Sequence, residues 1–562
     1  MRHIPGIELV RSYQRRWLRR DIVAGAVLTA LLVPQGMAYA ELAGLPPATG
    51  LYATLVPLLA YAVFGPSRIL VLGPDSAVAP VIAAAVIPIA GADLTRRAEL
   101  AAFLAILVGI LMIVGGLTGF AFITDLLSLP VRIGYLIGIA FTVIVSQLPK
   151  LLGYEFTGSG LLDELRAIPG GIADADALTV AIGGGSLALI LGLKARAPKV
   201  PGVLVAVVGS TAVVGAFGLA DRLPTVGSLP PGLPSLVFPT PGDADLGQLT
   251  LAAVAIALVA FADTSVLSRS YATRYHEDVD QDVELVGLGA ANLATGFFQG
   301  FPISSSSSRT PAAEAAGART QLAGVSAAVF LGGLLVFAAD LLRNLPAATL
   351  AAIVIAAMLS LIDVAAVRRL YIAHRTDFAL AATAFAGVAA FGVLRGVGAA
   401  VTVSLAAFLW RSWHPHDATL GRAEQVKGYH DVERYPQATL PSGLVLYRFD
   451  APLFFANAGV FRARVLALAK ARRPTWLVIA AEPITDVDST SADMLVALHD
   501  ELRVLGVELA FAEMKDHVID TLRRFGFVER VGRDHLYLTI GVAVHAYVDA
   551  TGVPWHDWED ES

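Results

Sequence analysis

Two interruptions in an otherwise apolar chain carry the chemistry. The first is LGPDSA, Leu72 to Ala77, and the second is GFPISSSSSRT, Gly300 to Thr310. Each joins a short extended apolar run to a helix-start signal and a small-residue helix. Pro74 suits the first turn of a helix, because it has no N–H to lose. The serines at 304–308 suit an N-cap and a first turn. A helix that starts within a membrane exposes unpaired N–H groups and about half a positive charge. Two such ends, nose to nose, make an anion site. Arg309 adds a full positive charge, which costs about 2.5–3.5 kcal/mol or more in a span and so calls for a partner or a role. Serine hydroxyls donate hydrogen bonds to an oxyanion. The plainer readings are that the serines only pack helices and that Arg309 pairs with a carboxylate such as Asp263.

The elements that position these residues follow from composition. The chain has 562 residues, 56% hydrophobic and 16% charged, against roughly 25% charged in soluble domains. The charge is uneven: residues 420–562 hold 15 Lys/Arg and 21 Asp/Glu, while residues 1–419 hold 26 of each. A large neutral membrane body therefore precedes a soluble domain, and the net charge of −6 belongs to the tail. Disorder and sustained coiled coil are excluded. Cysteine is absent, which removes disulfides and thiolate chemistry. No basic patch of nucleic-acid size, metal cluster, cofactor motif or nucleophile–base pair is found, so no cofactor and no enzyme activity are expected. No removable signal peptide is read before Asp21.

At about 20 residues per span, fourteen apolar segments are expected, near 22–40, 48–64, 74–90, 99–118, 120–148, 178–194, 200–219, 247–268, 283–300, 304–316, 320–341, 346–362, 377–394 and 396–413. The interruptions fall in the third and tenth, the third of each half, which points to an inverted repeat with a midplane site. Arg11, Arg15, Arg16, Arg19 and Arg20 precede the first span and place the N-terminus in the cytoplasm. An even count places the C-terminus there too. Lys194, Arg196 and Lys199, then Arg269 and Arg274, then Arg368, Arg369 and Arg375 agree, whereas Arg96 and Arg97 fall on the wrong side. The expected parts are a cytoplasmic segment 1–20, a transmembrane domain 21–415, a linker 416–441, a soluble domain 442–551 and an acidic tail 552–562.

These motifs resemble the sulfate permease (SulP) family of anion transporters. PQGMAYAELAGLPP (Pro34–Pro47) is similar to the first-span motif, and GLYATLVPLLAYAVFGPSR (Gly50–Arg68) to the N-terminal signature, with Thr49 where an aromatic is usual. LGPDSA resembles the third-span start. NLATGFFQGFPISSSSSRT (Asn292–Thr310) and TQLAG (Thr320–Gly324) resemble the ninth-to-eleventh-span block. The tail resembles the family's STAS domain. The resemblance implies a seven-plus-seven inverted repeat with core and gate subdomains, a homodimer and an inner-membrane location. It also implies an anion site made by Gln35 and Tyr39, by the backbone at Asp75 and Ser76, and by Ser306, Ser308 and Arg309. The eighth-span acidic position matches Asp263. Without the resemblance, Gln35 reads as an interhelical hydrogen-bonder and Tyr39 as an interfacial aromatic.

Asp75 lies where an anion should bind, and two negative charges in a low-dielectric site repel by several kcal/mol. Capping of the helix is its plainer role. Proton uptake by Asp75, Asp263 or both would make the protein a proton–anion symporter, with sulfate as first choice and bicarbonate or C4-dicarboxylate next. The resemblance adds that channel-like and exchanger members often have an apolar residue at the Asp75 position. Sodium coupling is the competing version. The family's sodium-dependent bicarbonate members carry a threonine where Leu267 stands here, although Thr264 and Ser265 keep sodium open. A channel-like conductor and a membrane-anchored regulator are the other classes.

In the tail, runs at 443–455, 475–480 and 507–512 read as strands and 457–472 and 490–505 as helices, a mostly parallel α/β sheet. Asp488-Ser489-Thr490 falls at a strand-to-helix turn and resembles the STAS loop phosphorylated in related regulators, with Ser491 where glycine is usual. Ser489 is the candidate phosphorylation site, helix capping by Ser489 or Thr490 being the alternative. His414, His416 and the terminal HDWED are expected to be solvated.

Overall fold

The computed structural model describes residues 5–122, 128–156, 161–197, 200–306, 308–424 and 426–557. The chain divides into two units, Met1–Leu405 and Ala406–Ser562.

The first unit begins with α1 (Pro5–Ser12), then α2 (Leu18–Leu42) and α3 (Pro47–Phe64). A short strand β1 (Leu72–Gly73) leads to α4 (Ala79–Ala90), α5 (Leu94–Leu117) and α6 (Leu129–Leu152). There follow α7 (Leu161–Ala173), α8 (Ala177–Arg196) and α9 (Gly202–Ala216). The second half runs α10 (Leu246–Tyr275), α11 (Gln281–Phe297), β2 (Ser304–Ser305), α12 (Arg309–Ala315), α13 (Leu322–Phe337), α14 (Ala347–Leu361), α15 (Val364–Ala373), α16 (Arg375–Phe391) and α17 (Val393–Trp413). Each of the fourteen expected segments coincides with one of these helices, although α6 starts at Leu129, later than the expected 120, and 123–127 lies outside the described residues. Asp93, Asp176, Asp245, Asp280 and Asp363 cap α5, α8, α10, α11 and α15 through their side chains, so several body carboxylates serve helix starts. Apolar side chains such as Leu117, Phe217, Leu251 and Phe337 face outward, as lipid-facing positions require.

Packing relates the halves. α2 packs on α13 as α10 packs on α5, α3 on α13 as α11 on α5, and α8 on α14 as α16 on α6. β1 pairs with its own counterpart β2, and α6 with α14. Exchanging the halves therefore maps the packing onto itself, with the β1–β2 pair on the exchange axis. Two groups result, a core of α2–α5 with α10–α13 and a gate of α6, α8, α9, α14 and α16. Small residues set the close contacts. A Cβ at Gly109 of α5 would lie 2.6 Å from the Leu293 nitrogen of α11, and one at Gly50 of α3 only 2.0 Å from the Gly36 carbonyl of α2.

The amphipathic helices α7 and α15 follow the fifth and twelfth spans, matching positions that no apolar count detects. The arginines on the wrong side have local employment. Arg96 binds Glu99 (2.7 Å) and the carbonyls of Thr240 (3.3 Å) and Pro241, and Arg97 binds the carbonyls of Gly91 and Gly44.

The second unit is a six-stranded sheet of order β4-β3-β5-β6-β7-β8, with β3 (Asp417–Arg422), β4 (Tyr429–Asp431), β5 (Leu444–Phe449), β6 (Trp476–Ala480), β7 (Glu508–Ala512) and β8 (Leu536–Tyr537). β5 to β8 run parallel and β3 is antiparallel to both neighbours. Helices α18 (Ala458–Arg472), α19 (Ser489–Val504), α20 (Asp516–Arg524), α21 (Phe527–Val531) and α22 (Ile540–Thr551) complete it, with one apolar core on each face of the sheet. The expected linker 416–441 instead supplies β3 and β4. The terminal HDWED is not wholly solvated either. Asp557 is buried and accepts a hydrogen bond from Arg422 Nε (2.8 Å), while 558–562 lie outside the described residues.

Candidate functional site

β1 and β2 are antiparallel, with Leu72 opposite Ser305 and Gly73 opposite Ser304. Such a pair satisfies backbone groups that hydrocarbon would leave unpaired. Arg309 fastens it. Its guanidinium is fully buried and donates to the carbonyls of Pro74, Gly73 (3.3 Å) and Ser304 (3.4 Å), so its partners are backbone oxygens and not the carboxylate of Asp263. Arg309 Nε has no partner.

Both helix starts differ from expectation. Pro74 does not open the helix; α4 begins at Ala79, with Pro80 in its first turn. The preceding turn, closed by Ala79 N–H to Asp75 O (3.0 Å), is capped by Asp75, whose Oδ1 accepts the Ala77 N–H (2.9 Å). In the serine run, Ser304 and Ser305 are strand residues. Ser304 Oγ donates to Ala260 O (3.0 Å), and Ser305 Oγ is buried without a partner. The turn into α12 starts at Ser306, where the Thr310 N–H reaches Ser306 O (3.3 Å). The Ser306 and Ser308 hydroxyls lie 3.0 Å apart, and Ser307 lies outside the described residues.

A cavity of about 440 Å³ opens in front of this frame. Gln35, Tyr39, Asp75, Ser76, Ser306 and Ser308 line its core side, and Asp263 of α10 closes one wall. Gln35 follows Pro34, which removes one helical hydrogen bond from α2, and the side-chain oxygen Oε1 of Gln35 is buried without a partner. A second cavity of about 790 Å³ shares Gln35, Lys194 and Ser308 and reaches Arg309. One cavity thus gathers Gln35, Tyr39, Asp75, Ser76, Asp263, Ser306 and Ser308, while Arg309 binds the strand pair behind it.

It also holds residues the sequence reading passed over. Arg132 of α6 pairs with Asp263 across the cavity from the gate side, each side chain about one-fifth exposed. Its signal was present, an arginine among the apolar residues of the fifth segment. Lys194, read only as a marker of orientation, lines the cavity too. Beside the site, the fully buried Glu284 of α11 accepts hydrogen bonds from Ser67 Oγ (2.6 Å), Ser268 Oγ (2.8 Å) and Tyr61 OH. Glu284 is thus a further buried acid of the membrane unit that the sequence reading did not single out.

Thr264 adjoins Asp263, but its hydroxyl donates to Ala260 O (2.8 Å) and accepts the Ser305 N–H (3.3 Å). Leu267 presents an apolar side chain to the cavity.

Residues 18–384 match the sulfate permease family. The chain belongs to that family. Residues 435–543 match the STAS domain. A probable sulfate transporter of Mycobacterium tuberculosis is 41% identical over 97% of this chain and 98% of its own length. The chloroplastic sulfate transporter 4.1 of Arabidopsis thaliana is 31% identical over 96% of this chain and 82% of its own. The murine solute carrier 26 member A9 anion transporter, solved in the inward-facing state, superposes with a TM-score of 0.89 at 22% identity, covering 98% of this chain and 94% of that one. The permease is thus a multi-pass membrane protein with a C-terminal STAS domain, of a family of anion transporters and not of enzymes.

In the STAS domain, Asp488 caps α19, accepting from the N–H groups of Ser491 (2.8 Å) and Phe455 (2.8 Å). Partial burial pushes its carboxyl up, but those N–H groups outweigh it and hold it below the ordinary carboxylate range. Neither Ser489 nor Thr490 is the cap. Both are exposed in the first turn.

Proposed function

We propose that this permease carries sulfate with a proton across the plasma membrane by alternating access. The observation that carries the reading is the cavity between core and gate, framed by two facing chain interruptions and lined by Gln35, Tyr39, Ser306 and Ser308. Gln35 and the hydroxyls of Tyr39, Ser306 and Ser308 donate to the anion, as do the N–H groups around Asp75 and Ser76. Arg309 keeps the frame together and supplies positive field from behind it. Sulfate as first substrate is supported by the names of the Mycobacterium tuberculosis and Arabidopsis thaliana relatives.

Proton coupling is assigned to Asp75. Asp263 already has the cation Arg132, whereas Asp75 has no ion-pair partner among the described residues. An ionised Asp75 repels the incoming anion, and a protonated one donates to it. Asp263 and Arg132 form a link between core and gate that changes as the two groups move. The sodium reading is weakened by Leu267 and by Thr264, whose hydroxyl is occupied.

The cavity opens past the exposed Lys194, Ser270 and Ser360, at helix ends that the positive charges assign to the cytoplasm, as are both termini. This conformation is read as inward-open. A homodimer embedded in lipid is the working assembly, and Ser489, exposed at the start of α19, is the candidate phosphorylation site of the tail.

The test is uptake of labelled sulfate, bicarbonate and fumarate into proteoliposomes with proton and sodium gradients imposed separately. Sulfate accumulation driven by an inward proton gradient and abolished by a protonophore is expected. Accumulation driven by sodium alone, or only downhill flux with large currents, refutes the proton symport.

A further inference from the structure

A separate cavity of about 530 Å³ lies in the membrane unit, lined by none of the transport-site residues. Four arginines line it, Arg16 just before α2, Arg20 in its first turn, Arg68 after α3 and Arg319 before α13, against the single carboxylate of Glu277. Arg68 is committed: it pairs with Glu277 (3.1 Å) and stands over the Trp17 ring at 5.3 Å. Arg16, Arg20 and Arg319 are exposed, and their guanidinium groups have no ion pair among the described residues. The neighbouring carboxylates are occupied. Asp21 is fully buried and accepts from the N–H groups of Arg319 (2.7 Å) and Thr320 (3.2 Å) and from Thr320 Oγ1 (2.8 Å). Glu314 binds Arg274 (3.0 Å), Tyr271 and Tyr275.

Positive charge near a cytoplasmic loop is ordinary. A concave wall that gathers arginines from three separate segments, with an indole and two phenols around it, is not explained by orientation alone. Guanidinium forks bind phosphate oxygens in pairs, and several converging forks prefer a doubly charged phosphate monoester to a singly charged anion. We infer that this cavity binds a phosphate monoester or pyrophosphate group, presented either by an anionic lipid headgroup or by a soluble phosphate compound.

The site is wired to the transport frame. The wall residues Ser67 to Leu70 run directly into β1, and Ala318 and Arg319 follow α12. Gln321 ties the two segments by donating to Ser67 O (2.8 Å) and Leu70 O (2.9 Å). Ser67 also donates to the buried Glu284. A ligand that draws Arg68 and Arg319 together acts on both strands of the frame, so binding alters the transport rate.

The experiment measures the thermal stability of the purified full-length protein, a readout independent of which anion is transported. One arm adds pyrophosphate in detergent. The other compares phosphatidylcholine vesicles containing phosphatidic acid with vesicles containing phosphatidylglycerol at matched surface charge. Expected is a saturable rise in melting temperature with pyrophosphate, with phosphatidic acid, or with both. The responding arm identifies the source. In the Arg20→Gln/Arg319→Gln variant the affinity falls by about a hundredfold, since each charge-assisted bond contributes about a factor of ten or more, and Arg20→Lys/Arg319→Lys keeps an intermediate affinity. Stabilisation in neither arm, or stabilisation unchanged in the glutamine variant, overturns the inference. Loss of sulfate uptake with pyrophosphate binding intact counts against the proposed transport function and leaves this site standing.

Discussion

Replacing Asp75 by Asn separates its charge from its cap. In the structure Asp75 Oδ1 accepts the Ala77 N–H at 2.9 Å, and an asparagine oxygen accepts the same bond. The turn that precedes α4 therefore survives, and what changes is one negative charge in the cavity wall. Two unit charges about 5 Å apart at an effective dielectric of about 20 repel by roughly 3 kcal/mol. That is about two orders of magnitude in affinity for each charge on the anion. If Asp75 takes up the proton, wild-type sulfate uptake weakens as pH rises from 5 to 8, because the ionised carboxylate expels the anion. Asp75→Asn then holds the affinity of the acid form across that range, and its uptake no longer follows a proton gradient. The assay is initial-rate uptake of labelled sulfate into proteoliposomes at several internal and external pH values, with KM resolved from the maximal rate. A variant whose KM keeps the wild-type pH dependence refutes the assignment of coupling to Asp75. A second variant, Asp75→Ala, loses the cap as well and costs about 1 kcal/mol of local stability. A defect found only in the alanine variant would reduce Asp75 to a structural role.

Further predictions follow from the same geometry. Arg309→Lys loses most sulfate uptake while inserting normally, because one ammonium cannot replace a fork that holds the carbonyls of Gly73, Pro74 and Ser304; wild-type uptake by the lysine variant refutes the latch. Arg132→Ala and Asp263→Ala each lower uptake by about tenfold or more, and the double variant by less than the product, a non-additivity that a double-mutant cycle reads directly. Gln35→Leu raises KM for sulfate and leaves the pH profile unchanged, since Gln35 contacts the anion in the proposed site without carrying a proton. In the STAS domain, Asp488→Ala removes the bonds to Ser491 and Phe455 and lowers hydrogen-exchange protection at the start of α19 by about 1 kcal/mol. Because the Asp488 carboxyl is held low, its contribution in the wild type is present above the unfolded Asp value of about 3.9 and is lost only as pH falls through the lower folded value.

What the sequence reveals and what it withholds divide along one physical line. Residue types and their spacing announce where a membrane chain breaks its helical pattern, because hydrocarbon tolerates an irregular backbone only for a reason. That is why Asp75, the serine run and Arg309 are legible as one site, and why the paired positions in two halves reveal the repeat. Partners are not legible, because they depend on which faces meet. The sequence reading offers Arg309 alone as a cation for Asp263; the fold instead gives Asp263 the unanticipated Arg132 of α6 and leaves Arg309 to the carbonyls. Register at a break is hidden for a related reason. Pro74 and Pro80 are both acceptable helix openers, and Asp75 decides between them by capping the turn that separates them. The serines read as a helix cap because serine caps helices in isolation. Here an unpaired strand β1 inside the membrane needs a partner, and Ser304 and Ser305 supply backbone for it before the turn at Ser306 begins. The same argument explains Asp557, which composition assigns to a solvated acidic tail and which instead neutralises a buried Arg422. In each case the residue that looked like a ligand for water or substrate had first to satisfy a neighbour. Among the described residues, Gln35 Oε1, Ser305 Oγ and Arg309 Nε are buried without a partner after that accounting; in the proposed site the Ser305 hydroxyl and the Arg309 N–H are free to donate toward an anion, and the Asp75 carboxylate is the group to take up its proton.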